Sequence, residues 1–265
     1  RLHRNFIVDN RPGANAIIGA DIVAKAAGDG YTLLFAGNTT HAGNPALYQT
    51  LPYDPVRDFT PVAFIVGLHY YLVVAPNFPA KSVQELVTHA KANRGKLTYG
   101  TGNATSTILA EMFKLATQTD MVHVPFPGLA QAGQGLLSGQ VQMAVSNFAT
   151  LRPLLREGRV KVIAVAQSKR YEGAADVPTV AEAIPGFEMP DSWFGYLAPG
   201  GMPAPILARL NSEIRRASRT PEFAAKVHDY DLSVLTMSPE DTAAFIKAAD
   251  AGFARITSAA KIVPE

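Results

Sequence analysis

Cysteine is absent from the 265 residues, and with it go disulfides, thiolate nucleophiles and cysteine-ligated metals. The absence fits an oxidising compartment, where stray thiols are a liability. Any apolar run of about 18 residues or more is missing too, so no stretch reads as a membrane-spanning helix. Neither sign of charge dominates. Lys plus Arg is 24 and Asp plus Glu is 22, a formal net charge of +2 spread along the chain. No basic patch of the kind nucleic acid requires stands out, so nucleic acid is not an expected partner. Tryptophan occurs once, at Trp193. The segment Arg1-Leu2-His3-Arg4 runs straight into Asn5 with no signal-peptide layout ahead of it, as expected of a processed chain.

What is present is an alternation. Short apolar runs are separated by amphipathic helical stretches, the pattern of βα units and parallel sheets. Phe6-Ile7-Val8 reads as a strand and Asn10-Arg11-Pro12-Gly13 as a turn, with Gly13 supplying a positive φ or close packing and Arg11 pairing with a nearby acid. Ile17 to Ala27 reads as a helix with Ile18, Ile22 and Ala26 on one face, ended by Gly28-Asp29-Gly30 as a left-handed cap. Tyr31 to Ala36 reads as a strand buried on both faces. Thr39 to Pro61, with four prolines, reads as loop and short helix.

Strands are expected at 62–66, 70–75, 97–99, 122–124, 141–145, 160–166 and 193–197. Helices are expected at about 82–92, where Ser82 and Glu85 form a capping box, and at 104–117, 129–137, 150–157, 180–184, 203–218, 221–230 and 239–261. Pro203, Pro221 and Pro239 suit first-turn positions. The helical C-terminal third is expected to pack back on the first sheet.

Several segments, in order, carry a resemblance. They are Asn10-Arg11-Pro12-Gly13-Ala14, Asp29-Gly30-Tyr31-Thr32-Leu33, Asn44-Pro45-Ala46-Leu47-Tyr48, and Leu51-Pro52-Tyr53-Asp54-Pro55 with Asp58-Phe59. Further on come Tyr99-Gly100-Thr101-Gly102, His123-Val124-Pro125-Phe126, Asp176-Val177-Pro178-Thr179 with Ala181-Glu182, and Trp193-Phe194-Gly195 with Ala198-Pro199. Together they resemble the Bug family, the periplasmic receptors of tripartite tricarboxylate transporters.

The resemblance implies an α/β chain with a type II periplasmic-binding-protein fold, two α/β lobes joined by two hinge strands. Lobe one would comprise residues 1–68 and 195–265, and lobe two 69–194. Family members carry an additional strand, a Pro-Gly-Gly loop and a helix ahead of the position of Arg1. The fold is therefore expected to lack its usual first strand–helix unit and the part of the carboxylate site that unit supplies. Asn15-Ala16 stands where the family has a Gly pair. Phe126-Pro127 stands where it has Tyr-Lys, a change that removes a cation.

The strongest candidate segment for binding is Tyr99 to Ser106. A strand leads into a helix through two glycines, and a helix start offers unpaired amides with roughly half a positive charge. Thr101, Asn103, Thr105 and Ser106 add neutral donors, and Gly102 and Ala104 complete the turn. An ordinary N-cap reads equally well from the residues alone. No Lys follows the glycines, so a P-loop does not fit. Thr39 and His41 follow a strand end and are candidate ligand contacts, with a polar loop and a solvated His as the alternative. Phe126 and Asn147 follow strands of lobe two and are candidates as well. Trp193 serves either as a cleft wall or as a core Trp satisfied by one hydrogen bond.

Through the resemblance, the expected role is a periplasmic receptor in a Gram-negative bacterium. It would be a monomer that binds a small organic acid or amino acid, closes its lobes, and presents the closed form to membrane transporter subunits. No cofactor or metal is called for. A hydrolase is disfavoured: no Gly-x-Ser-x-Gly elbow occurs, and the six histidines fall in no dense metal pattern. His89 reads as solvated on a helix and His123 as a core or edge residue of a strand. An effector-sensing module of the same fold is the remaining alternative, since fold alone does not separate transport from sensing.

Overall fold

The computed structural model describes residues 5–259 except 188, 190, 231 and 236. In chain order the helices are α1 (Ile17–Ala24), α2 (Asn44–Leu47), α3 (Val83–Ala92), α4 (Ala104–Thr117), α5 (Leu129–Leu137), α6 (Phe148–Arg156), α7 (Val180–Ala183), α8 (Ala204–Ser218), α9 (Pro221–Asp229) and α10 (Pro239–Ala259). The strands are β1 (Leu34–Gly37), β2 (Phe59–Leu68), β3 (Tyr70–Val74), β4 (Thr98–Thr101), β5 (Val122–Pro125), β6 (Met143–Asn147), β7 (Lys161–Val165), β8 (Ser192–Pro199) and β9 (Ser233–Val234). The chain divides into one unit of residues 1–67 and 192–265 and another of residues 68–191.

The first unit carries a sheet in the order β1-β8-β2-β9. β1 pairs antiparallel with β8, and β9 antiparallel with β2. β2 contains Pro61, which has no amide to give to a ladder. On the β9 side no ladder bond is asked of it, since two-residue β9 reaches only Val66 and Gly67, at the other end of β2. The core gathers Ala20 and Val23 from α1, Phe59 and Phe64 from β2, Trp193 and Leu197 from β8, and Ile246 from α10. Phe253 of α10 is fully buried, and the helix packs on the 39–47 segment. The second unit has the order β5-β4-β6-β3-β7, with β4 parallel to β5 and β6, and β3 antiparallel to β6 and β7. Its core includes Tyr71, Val73, Leu136, Ala144, Leu151 and Val165.

Several expectations are overturned, each for a physical reason. Phe6-Ile7-Val8 is not a strand: all three side chains are exposed, and no ladder partner pairs with them among the described residues. An apolar run without a partner strand has nowhere to place its backbone hydrogen bonds. In α1 the buried residues are Ala20 and Val23, whereas Ile18 and Ile22 are each 47% exposed, so the helix turns its other face inward. The helix also stops at Ala24, with Lys25 right-handed as its cap, and the positive φ falls later, at Gly30. β1 is shorter than the apolar run and lies at the sheet edge, which leaves Phe35 53% exposed rather than buried on both faces. Both sheets contain antiparallel pairs, because β1, β3 and β9 do not join through parallel crossovers. Pro203 is the N-cap of α8 rather than its first residue. The last residues of the helix expected over 239–261 lie outside the described residues.

Candidate functional site

The β4–α4 junction is held by a capping box. Asn103 accepts from the Ser106 amide through Oδ1 at 2.8 Å, and Ser106 Oγ accepts from the Asn103 amide at 3.1 Å. The Gly102 amide also donates to Ser106 Oγ, at 3.1 Å. A helix start leaves four amides without intrahelical partners. The box takes those of Asn103 and Ser106 and leaves that of Ala104 outside it. Asn103 Nδ2 donates to Tyr70 Oη at 3.1 Å, and a Thr105 hydrogen bond also reaches that phenol. Tyr70 is buried, and desolvation pushes its pKa up, with the bonds from Asn103 and Thr105 working against the rise.

Thr101 is committed within the same unit. Its hydroxyl meets Thr107 Oγ1 at 2.9 Å and His123 Nε2 at 2.6 Å. The His123 ring stacks on Tyr99, centroids 5.1 Å apart, and burial lowers its pKa. Tyr99 Oη donates to Glu111, which also binds Lys114 at 2.9 Å, and burial foremost raises the Tyr99 pKa. Gly102 permits a close backbone approach: a Cβ there would lie 2.1 Å from the carbonyl carbon of Gly128 and 2.2 Å from the Leu129 nitrogen. Phe126 lies where a Cβ on Gly100 or Gly135 would meet its ring, at 3.0 and 2.3 Å, so it is a partly buried core group. Asn147 caps α6, accepting from the Thr150 amide at 3.0 Å. At the opening of α5, Gly128 provides no side-chain cap.

Thr39, His41 and Trp193 belong to the first unit. Residues 39–43 form a single π-helical turn, which places His41 in the core rather than in a solvated loop. Desolvation lowers the His41 pKa to about 3, so the imidazole is neutral. Its Nδ1 lies 2.8 Å from Thr40 Oγ1, its ring meets Phe59 edge-on at 4.7 Å, and the Trp193 ring lies at 6.2 Å. Trp193 is 1% exposed, and its amide donates to Asn38 Oδ1 at 2.9 Å. Among the described residues its indole Nε1–H has no hydrogen-bond partner, and His41 Nε2 also lacks one. Tyr53 Oη donates to the Thr40 carbonyl at 2.8 Å and Asn44 Nδ2 to the Asn15 carbonyl at 2.9 Å.

These last residues fix the π-turn and were not singled out as functional from sequence, although Tyr53 and Asn44 sit in quoted motifs. The recurrent acids are structural as well. Asp54 Oδ1 accepts from the amides of Val56 and Arg57 at 2.9 and 2.8 Å, and these bonds lower its pKa. Glu182 closes the capping box with Thr179 and takes a bidentate pair from Arg170, which foremost lowers its pKa to about 2. Among the described residues no group of three His, Asp or Glu could hold a metal ion, and no helix is long and apolar enough to cross a membrane.

The two α/β units with these sheets have the architecture of a periplasmic binding protein. The chain is similar to R. palustris Rpa4515 with adipate, at 33% identity and a TM-score of 0.93 over 98% of this chain and 88% of that one. It is similar to MatC from Rhodopseudomonas palustris with bound malate, at 31% identity and a TM-score of 0.84 over 92% and 85%. A UPF0065 protein of Bordetella bronchiseptica is 33% identical over 263 residues, 99% of this chain and 78% of that protein. The family described as tripartite tricarboxylate transporter family receptor matches residues 1–261. The chain belongs to this family, the TctC or Bug type of solute-binding receptor.

Proposed function

We propose that this protein is an extracytoplasmic receptor for a small carboxylated metabolite. It holds the ligand carboxylate partly through backbone amides at the β4–α4 junction and hands the ligand to membrane transporter subunits. The observation that carries this reading is near-full-length similarity to two receptors solved with aliphatic dicarboxylic acids, adipate and malate. The junction supports it in kind: residues 98–106 contain no Lys or Arg, so an anion there relies on oriented amides and the helix dipole. The side chains of Thr101, Asn103 and Asn147 are engaged in capping and strand-to-helix bonds. Recognition therefore falls on the backbone these side chains position, including the Ala104 amide. The role as a receptor rather than an enzyme, the location outside the cytoplasm and the monomeric state belong to the same reading.

A thermal-shift and calorimetric screen against C4 to C6 dicarboxylates, monocarboxylates and amino acids tests it. A cognate acid at 100 times its dissociation constant stabilises the fold by about 2.7 kcal/mol. Absence of saturable binding for every organic acid, in protein shown to be folded, refutes the assignment.

A further inference from the structure

We infer that the C-terminal half of α8 carries a separate oxyanion site, built from Arg215, Arg216 and Arg219 and suited to a dianionic phosphate group. An open surface groove of about 390 Å³ is lined by these three residues with Asn211 and Ser212. All five lie on α8 or its C-cap in the first unit, so the site depends on nothing at the β4–α4 junction.

Three observations point to an anion. Arg216 pairs with Glu213, but neither Arg215 nor Arg219 has a side-chain hydrogen bond or ion pair among the described residues. Three guanidinium groups less one carboxylate leave a local charge of +2. The Arg215 Nε is also buried without an acceptor. A desolvated guanidinium N–H with no partner carries a free-energy penalty that an incoming oxygen removes. A helix C-terminus favours cations in its last turn, yet that attraction gives Arg215 Nε no acceptor. Asn211, whose Nδ2 donates to the Val62 carbonyl at 2.7 Å, anchors the inner edge of the groove to β2.

The ligand chemistry follows from the donors. A guanidinium presents parallel N–H groups in a fixed fork that matches two oxygens of one phosphate or carboxylate. Two unengaged forks, on Arg215 and Arg219, beside the Glu213-paired Arg216 give a net charge of +2 that matches a group bearing two charges and at least three oxygens. Inorganic phosphate and a phosphomonoester lipid headgroup share that chemistry.

The test uses the full chain at fixed ionic strength and pH 7.5, with sodium chloride balancing each addition. Isothermal titration with inorganic phosphate covers the free anion, and co-sedimentation with phosphatidic acid vesicles, against phosphatidylcholine vesicles, covers the headgroup. Saturable binding is expected in at least one arm. It should weaken about tenfold or more in Arg215→Gln and in Arg219→Gln, and stay unchanged in Arg209→Gln, an exposed arginine of α8 outside the groove. Arg219 is itself exposed, so its variant keeps the test decisive where the Arg215 variant fails to fold. Binding in neither arm overturns the inference, as does binding equally strong in the Arg219 variant. A dicarboxylate titration of Arg219→Gln alongside should be unaffected, which separates this site from the receptor function.

Discussion

Phe64 and Trp193 stack face to face in the first unit, ring centroids 3.8 Å apart and planes 19° from parallel. One comes from β2 and the other from β8, and both are almost fully buried. Truncating either side chain leaves a large void between neighbouring strands. Trp193→Ala and Phe64→Ala should each cost about 3–5 kcal/mol, measured by urea unfolding, with Trp193→Phe clearly milder. The single Trp also makes the first unit optically addressable. Its native emission should resist quenching by acrylamide and become quenchable across the same transition.

The Asn103 side chain bridges the α4 start and Tyr70, while Thr101 bridges Thr107 and His123. Asn103→Ala should lose about 1 kcal/mol for the cap and somewhat more for the stranded Tyr70 phenol. Thr101→Val should lower stability by about 1 kcal/mol while changing dicarboxylate affinity little, because its hydroxyl is spent inside the unit. Unfolding curves and titrations on the same variants separate the two effects. A large affinity loss with stability intact would show that the hydroxyl itself meets the ligand.

How much of this was legible beforehand follows from where each signal lives. α4 and α5 were readable to the residue because their limits are local: a Gly-containing turn opens each, a capping side chain adds to it at α4, and the apolar period runs through. The Ser82 cap of α3 was visible in the same way. β1, α1 and the Phe6–Val8 segment were misread because their fate depends on partners distant in sequence. An edge strand and a central strand share one composition, and whether Ile18 or Val23 faces inward is decided by the sheet that α1 packs on. Of the candidate residues, Asn103 and Asn147 cap helices, Phe126 packs on the core, and the Thr101 hydroxyl bonds within its own unit. His41 is the sharpest case: a polar Asn-Thr-Thr-His string gives no hint of a π-turn locked by Tyr53 and Asn44. The close approach of Gly102 to Gly128 was equally hidden, although both glycines stand in view.

That approach makes a contrast between glycines. Gly102→Ala places a Cβ against the backbone of Gly128 and Leu129, which cannot step aside as a side chain does. It should destabilise the second unit by about 1–3 kcal/mol. Gly133→Ala, whose nearest neighbour is the flexible Leu154 side chain at 3.4 Å, should be nearly neutral. Equal urea midpoints for the two variants would contradict the packing described.

The buried histidines set a pH window. Burial lowers the His41 pKa to about 3 and the His69 pKa to about 4, both below the unfolded value of 6.5. Between those values the unfolded chain binds more protons than the native one, so stability rises with pH. The contribution is therefore complete above about pH 6.5 and is lost progressively as pH falls toward 4 and then 3. At pH 5 the His41 term alone amounts to about 2 kcal/mol less stability than at pH 7.5. Glu182, held near 2, adds its own loss only below its unfolded value, so it does not confuse the range from 6.5 to 5. Urea unfolding at pH 5.0, 6.0 and 7.5 should show that decline in the wild type. The slope should flatten in His41→Phe even though the variant is weaker overall, since its ring still meets Phe59 and Trp193 but no longer titrates. An unchanged slope in that variant would mean the imidazole is reached by water in the native state.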